Sequence, residues 1–209
     1  MLFRLIGYAL QHPREGRACL LALRAYRRAQ EQLRNDPVTG GHAGRDQIAL
    51  AARMAGLGEH AVRRHVEHWM ERAPLGLVAR AARPGLRDFL LASREHGACI
   101  GVFSDYRADE KLRALGIRDL VDVVRSAQDD ACGRFKPDPA GLLLVAAELG
   151  VAAASAVYVG DRPEVDAIAA RRAGMRSFIV TGTKVVSHSD WVPVRGFAEL
   201  TTMLYPPGH

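Results

Sequence analysis

Apolar positions in the first part of the chain recur at helical spacing. Leu20, Leu21, Leu23, Tyr26 and Leu33 alternate with Arg24, Arg27, Arg28 and Arg34, a pattern that predicts a helical segment within residues 1–35. The opening MLFRLIGYAL extends it, because Leu2, Leu5, Ile6 and Ala9 fall near one helical face. Pro13 marks a break or a helix start. The turn-forming run NDPVTGG at 35–41 ends this section. A second helix is expected over 46–55, closed by Gly56-Leu57-Gly58, and a third over 59–72 with Ala61, Val66 and Trp69 along one side. No strand signal precedes residue 98.

After Pro84 the pattern changes to short apolar runs. Strands are expected at 98–103 (ACIGVF), 121–124 (VDVV), 156–160 (AVYVG) and 176–180 (RSFIV). Helices of about ten residues separate them, at 85–96, 107–115, 139–149 and 164–173, and FAELTTML offers one more near the end. Short apolar strands alternating with helices predict a parallel sheet covered on both faces. Right-handed crossovers then bring the strand C-termini to one edge, where ligands bind in such folds. The chain therefore reads as α/β in class, with a helical unit over 1–82 and a sheet core over 83–209.

Charge sharpens that division. The net charge is +6 over 209 residues, and residues 1–80, with 13 basic and 7 acidic side chains, carry all of it. A basic unit of this kind attracts an anionic substrate or nucleic acid, or simply keeps a helical face in water. Only three lysines occur, Lys111, Lys136 and Lys184, so a lysine inside the tight FKPDP run stands out. Cys19, Cys99 and Cys132 are widely spaced with no CxxC pair, which fits reduced thiols in a cytoplasmic protein. No window approaches 18 uninterrupted apolar residues, and no small-residue cleavage site follows the opening run. Neither a membrane partner nor a secretory leader is expected.

The polar residues of interest cluster at strand ends. Ser104 and Asp105 follow strand 98–103, Asp161 follows strand 156–160, and Lys136 precedes helix 139–149. A hydroxyl with backbone N–H groups can hold phosphate oxygens. A lysine neutralises the same anion as a point charge, and Asp161 with Asp166 can offer hard oxygens to Mg²⁺. Each has a plainer reading. Asp161 and Ser104 can cap the helices that follow, Lys136 can be a turn lysine, Asp166 can pair with Lys136, and Asp105 reads better as structural than catalytic.

Taken in order, GVFSDY at 101–106, RFKPDP at 134–139 and VYVGDRPEVDAIAARRAGM at 157–175 resemble the second, third and fourth motifs of the haloacid dehalogenase-like hydrolases. The branch resembled most is the phosphoglycolate-phosphatase-like one with a helical cap. The resemblance covers about residues 83–180 and implies a Rossmann-like parallel-sheet core with an N-terminal all-helical cap. It implies a Mg²⁺-dependent phosphatase acting on a small anionic phosphorylated substrate through an aspartyl-phosphate. Ser104 would hold the phosphoryl oxygens, and Lys136 would steady nucleophile and phosphate. Asp161 would bind Mg²⁺ and Asp166 would support that acidic site.

One part of the family pattern is missing. Members begin with an apolar strand ending in two aspartates one residue apart, the nucleophile and the general acid/base. This chain has no Asp before Asp36, which sits in NDP after a helix. The expectation is a late start within a longer protein, leaving these residues inactive by themselves; a pseudoenzyme is the alternative. Without that central strand, two sheet edges would lack a partner; MLFRLI, short and apolar, could fill the slot as a strand, although its spacing favours a helix continuing into YAL. Nucleic-acid binding by a helix-turn-helix over 46–72, with Arg63, Arg64, His65 and His68 on its second helix, is disfavoured, because ordinary packing explains Leu57, Val66 and Trp69. No phosphate-binding glycine loop follows a strand, and no GxSxG is present.

Overall fold

The computed structural model describes residues 11–37, 41–182 and 189–206. The expectation for MLFRLIGYAL falls outside them. Three helices open the fold: α1 (Pro13–Asn35), α2 (Ala43–Ala55) and α3 (Glu59–Val66), the last running on into a wide π-helical turn, Glu67–Arg72. Pro13 stands in the first turn of α1, where its missing N–H costs nothing. Ala22, Ala25 and Ala29 of α1 meet Ile48, Ala51 and Ala52 of α2 and Val62 and Val66 of α3 in one core. Small side chains let these helices approach closely, and Tyr26 fills what remains.

A short helix α4 (Leu75–Val78) leads into the second layer, which begins with α5 (Leu86–Glu95). The chain then runs β1 (Gly101–Ser104), α6 (Asp109–Ala114), β2 (Val123–Ser126), α7 (Ala140–Glu148), β3 (Val157–Gly160), a wide turn Pro163–Ala167 into α8 (Ile168–Arg172), β4 (Arg176–Val180), β5 (Val192–Val194) and α9 (Phe197–Leu204). Every strand pairing is parallel. This is the α/β class with a helical unit before it, as expected.

Two expected strands move. β1 starts at Gly101 rather than 98, because the Ala98 N–H still closes the end of α5 on Ser93 and the Ile100 N–H turns to the Asp122 carboxylate at 2.8 Å. β2 begins two residues later than VDVV suggests, since Asp122 is spent on that bond and on Arg94. β5 was not foreseen. It is three residues long, with Pro193 at its centre, as an edge strand tolerates.

The sheet is interrupted. β2 pairs with β1, and β3 pairs with β4, which pairs with β5; among the described residues no strand joins β1 to β3. Yet both pieces share the same two cores. Phe103 of β1 and Tyr158 of β3 lie on one face with Phe135, Leu142 and Val145. Val102 and Val159 lie on the other with Phe89, Ile100 and Phe178. Between β1 and β3 open two cavities of about 290 and 420 Å³, each lined by Gly101, Phe103, Val157 and Tyr158.

Candidate active site

The local sequence dictates how the C-terminal ends of β1 and β3 are built. Ser104 is the last residue of β1, and its Oγ accepts the Tyr106 N–H at 3.2 Å. Its hydroxyl therefore shapes the first turn after the strand. Asp105 is buried. One of its oxygens accepts the Lys136 backbone N–H at 3.1 Å, and the other takes a short ion pair from Arg34 of α1. Asp105 thus ties the loop after β1 to the FKPDP loop and to the helical unit, in keeping with its structural reading.

Lys136 and Asp166 form the centre of the arrangement. Lys136 Nζ donates to Asp166 Oδ1 at 2.8 Å, with side chains only 12% and 5% exposed. The Tyr158 hydroxyl closes a triangle, 3.0 Å from both. The second Asp166 oxygen accepts the N–H groups of Asp161 and Arg162 at 3.1 and 3.0 Å. Burial alone opposes the Asp166 charge, but Lys136 and the two backbone N–H groups outweigh it and hold its carboxyl below the usual range. Burial likewise works against the Lys136 charge. The negative charges of Asp166 and Asp105 win, and its pKa lies above the ordinary lysine value. Burial raises the Tyr158 hydroxyl, so it stays protonated as a donor.

Gly160 makes this geometry feasible. A Cβ there would stand 2.6 Å from the Asp166 carboxylate, so the strand must end in glycine for Asp166 to fold back over it.

Asp161 differs. Its side chain is 57% exposed, and among the described residues its ion pair is to the similarly open Arg83 at 3.2 Å. It projects from the loop after β3 into water.

The four residues singled out from the sequence are therefore linked to different degrees. Lys136 and Asp166 touch directly, Asp161 joins them through its backbone N–H, and Ser104 connects only by the chain through Asp105, which accepts the Lys136 N–H. Both Asp166 oxygens are engaged, Oδ1 by Lys136 and Tyr158 and Oδ2 by two backbone N–H groups, so in this arrangement the residue holds the lysine. Among the described residues no group of three or more His, Cys, Asp or Glu side chains could hold a metal ion. Asp161 alone does not make a Mg²⁺ site, which needs about six oxygen ligands. Sequence reasoning missed Tyr158, Arg83 and Arg34. Only the alternation in AVYVG, which puts Tyr158 and Gly160 on one side of β3, hinted at the first.

The helical unit meets this edge directly. The Gln47 carbonyl oxygen accepts from Gln128 at 3.1 Å, Tyr106 donates a short hydrogen bond to Gln30, and His42 and Arg45 reach Asp130. Contact with the crevice is what a lid over a site makes, and it weakens the helix-turn-helix alternative.

The fold is thus a parallel α/β core with Ser104 at a strand end, Asp161 exposed just after another, and Lys136 buried in the loop before α7. The model of the haloacid dehalogenase-like hydrolases matches residues 7–174, and the chain belongs to that family. Among solved structures, a phosphatase from Thermococcus onnurineus is 21% identical over 74% of this chain and 84% of its own, with a TM-score of 0.57. A β-phosphoglucomutase from Clostridium difficile is 18% identical over 90% and 88%, at 0.59. A mutant CbbY from Rhodobacter sphaeroides, in complex with xylulose-1,5-bisphosphate, is 21% identical over 86% and 88%, at 0.54. At these identities the likeness is one of fold. No curated protein matches the chain.

Proposed function

We propose that this hydrolase is a phosphatase for a small phosphate ester, and that residues 1–209 supply its phosphate-holding half. Ser104 Oγ hydrogen-bonds a phosphoryl oxygen. Lys136, kept charged and fixed by Asp166 and Tyr158, offsets the negative charge that gathers on the phosphoryl group. The attacking group is a carboxylate, which forms an aspartyl-phosphate that water then cleaves. None of the described residues supplies it. Asp166 is committed to Lys136, Asp105 to Arg34, and Asp36 is exposed at the C-terminal end of α1.

The observation that carries this reading is the interruption of the sheet among the described residues. β1 and β3 run parallel with their partners on either side of an apolar cleft, and their C-terminal ends bear Ser104 and Asp161. A strand laid in that cleft would satisfy both open edges and deliver its own last residue between Ser104, Lys136 and Asp161. We take that strand, ending in an aspartate, to precede Met1, so that residues 1–209 alone are inactive. Mg²⁺ is part of the proposal only with that strand present; Asp161 is then the ligand this chain contributes, and the ion adds positive charge at the phosphoryl group.

The test compares the 209-residue chain with a version extended upstream in the same reading frame, both assayed on a phosphate-ester panel with Mg²⁺. Turnover should appear only in the extended chain and vanish with Lys136→Ala. An in-frame stop directly upstream of Met1 would favour a pseudoenzyme. Robust turnover by the short chain, lost on Ser104→Ala or Lys136→Ala, would show that the nucleophile lies within these 209 residues.

A further inference from the structure

The outer face of α1 is not explained by the site. Arg14, Arg17, Arg24 and Arg28 are all exposed, and Leu21 sits between the two pairs at the same three- and four-residue spacing. Together they form a stripe about 21 Å long at 1.5 Å per residue. Leu21 and its neighbour Leu20 are 41% and 39% exposed, although they are large aliphatic side chains on a helix whose opposite face is fully packed. That packed face holds Cys19, Ala22, Tyr26, Ala29 and Leu33, so the stripe points away from the helices beneath it.

The stripe carries uncompensated charge. None of the four arginines is ion-paired among the described residues, whereas Arg34 further along the same helix pairs with Glu31 at 2.5 Å and with Asp105. Glu31, on the same helix, is spent on Arg34. Four cations spaced along one helix face with two central leucines suit a surface that is anionic outside and apolar just beneath. A nucleic-acid backbone would use the arginines but has nothing to receive the leucines. The sequence entering this helix, MLFRLIGYAL, has a single charge at Arg4, a composition that also favours an interface over bulk water.

We propose that the outer face of α1 docks this protein on an anionic lipid bilayer, with the arginines at the headgroups and Leu20 and Leu21 dipping between them. Such docking is independent of the chemistry at the strand ends. It revises the expectation of no membrane partner, which rested on the lack of a spanning segment; docking at a surface needs none.

The 209-residue protein tests this directly by co-sedimentation with vesicles of phosphatidylcholine containing about 30% phosphatidylserine, against pure phosphatidylcholine. Binding should require the anionic lipid and fall as salt rises. The triple variant Arg17→Glu/Arg24→Glu/Arg28→Glu should weaken it at least about tenfold. Leu20→Ser/Leu21→Ser should weaken it less but measurably at unchanged charge, and circular dichroism should report both variants as folded. No association with the anionic vesicles, or equal association with neutral ones, overturns the proposal. So does tight binding of duplex DNA that the leucine variant leaves unchanged, which would assign the stripe to nucleic acid.

Discussion

Asp166 and Asp161 lie five residues apart, and the Asp161 backbone N–H donates to the Asp166 carboxylate, yet their side chains occupy opposite environments. Asp166 is buried under Gly160, with Lys136, Tyr158 and two N–H groups on its oxygens. Asp161 is open to water beside Arg83. A carboxylate can be a structural anchor or an available ligand, and burial with saturated hydrogen bonding decides which. The anchor keeps the lysine charged and in place; the open residue is free to meet what arrives at the strand ends.

That contrast sets the size of each expected effect. Asp166→Asn leaves Lys136 charged, buried and without its counter-ion, and should cost about 3–5 kcal/mol in urea denaturation. Replacing both, as Lys136→Met/Asp166→Leu, should cost much less than the single change if the pair rather than the packing is at stake. The pH dependence follows the same residue. Because its folded pKa is depressed, Asp166 contributes stability that is present above the ordinary carboxylate pKa of about 3.9 and is lost as pH falls through its lower folded value. An acid limb should therefore emerge below about pH 4 and flatten in Asp166→Asn.

Gly160→Ala comes next. The new methyl must displace the Asp166 carboxylate it would touch at 2.6 Å, for a loss of about 1–3 kcal/mol read as a lowered Tm. Asp161→Asn should be smallest, within about 0.5 kcal/mol, since an open pair with Arg83 contributes little. An equal loss of stability for Asp161→Asn and Asp166→Asn would erase the comparison.

Much of this was legible because the strands are short and apolar and the helices before them end in glycines, Gly97, Gly116, Gly150 and Gly174, so the residues following each strand announce the sheet edge. Ser104, Lys136, Asp161 and Asp166 could be picked out for that reason; their chemical roles stand as proposals. What the pattern hid depends on tertiary closure. The Lys136–Asp166–Tyr158 triangle needs three segments folded together, and no spacing reveals that Asp166 points inward while Asp161 points out. Arg34 looked like one more surface cation of a basic helix, whereas it is buried against Asp105. β5 escaped because three residues around a proline carry no period. The start of β2 was misjudged because Asp122 looks like part of an alternating strand but is used to anchor Ile100.

The cleft between β1 and β3 is the point on which the proposed function turns, and amide hydrogen exchange reads it residue by residue. Those amides of Gly101–Ser104 and Val157–Gly160 not bonded to β2 or β4 should exchange quickly in the 209-residue protein. They should become protected in the upstream-extended chain, where a strand fills the cleft. Protection already complete in the 209-residue protein, and unchanged by the extension, would contradict the missing-strand reading, because the sheet would then need no further strand.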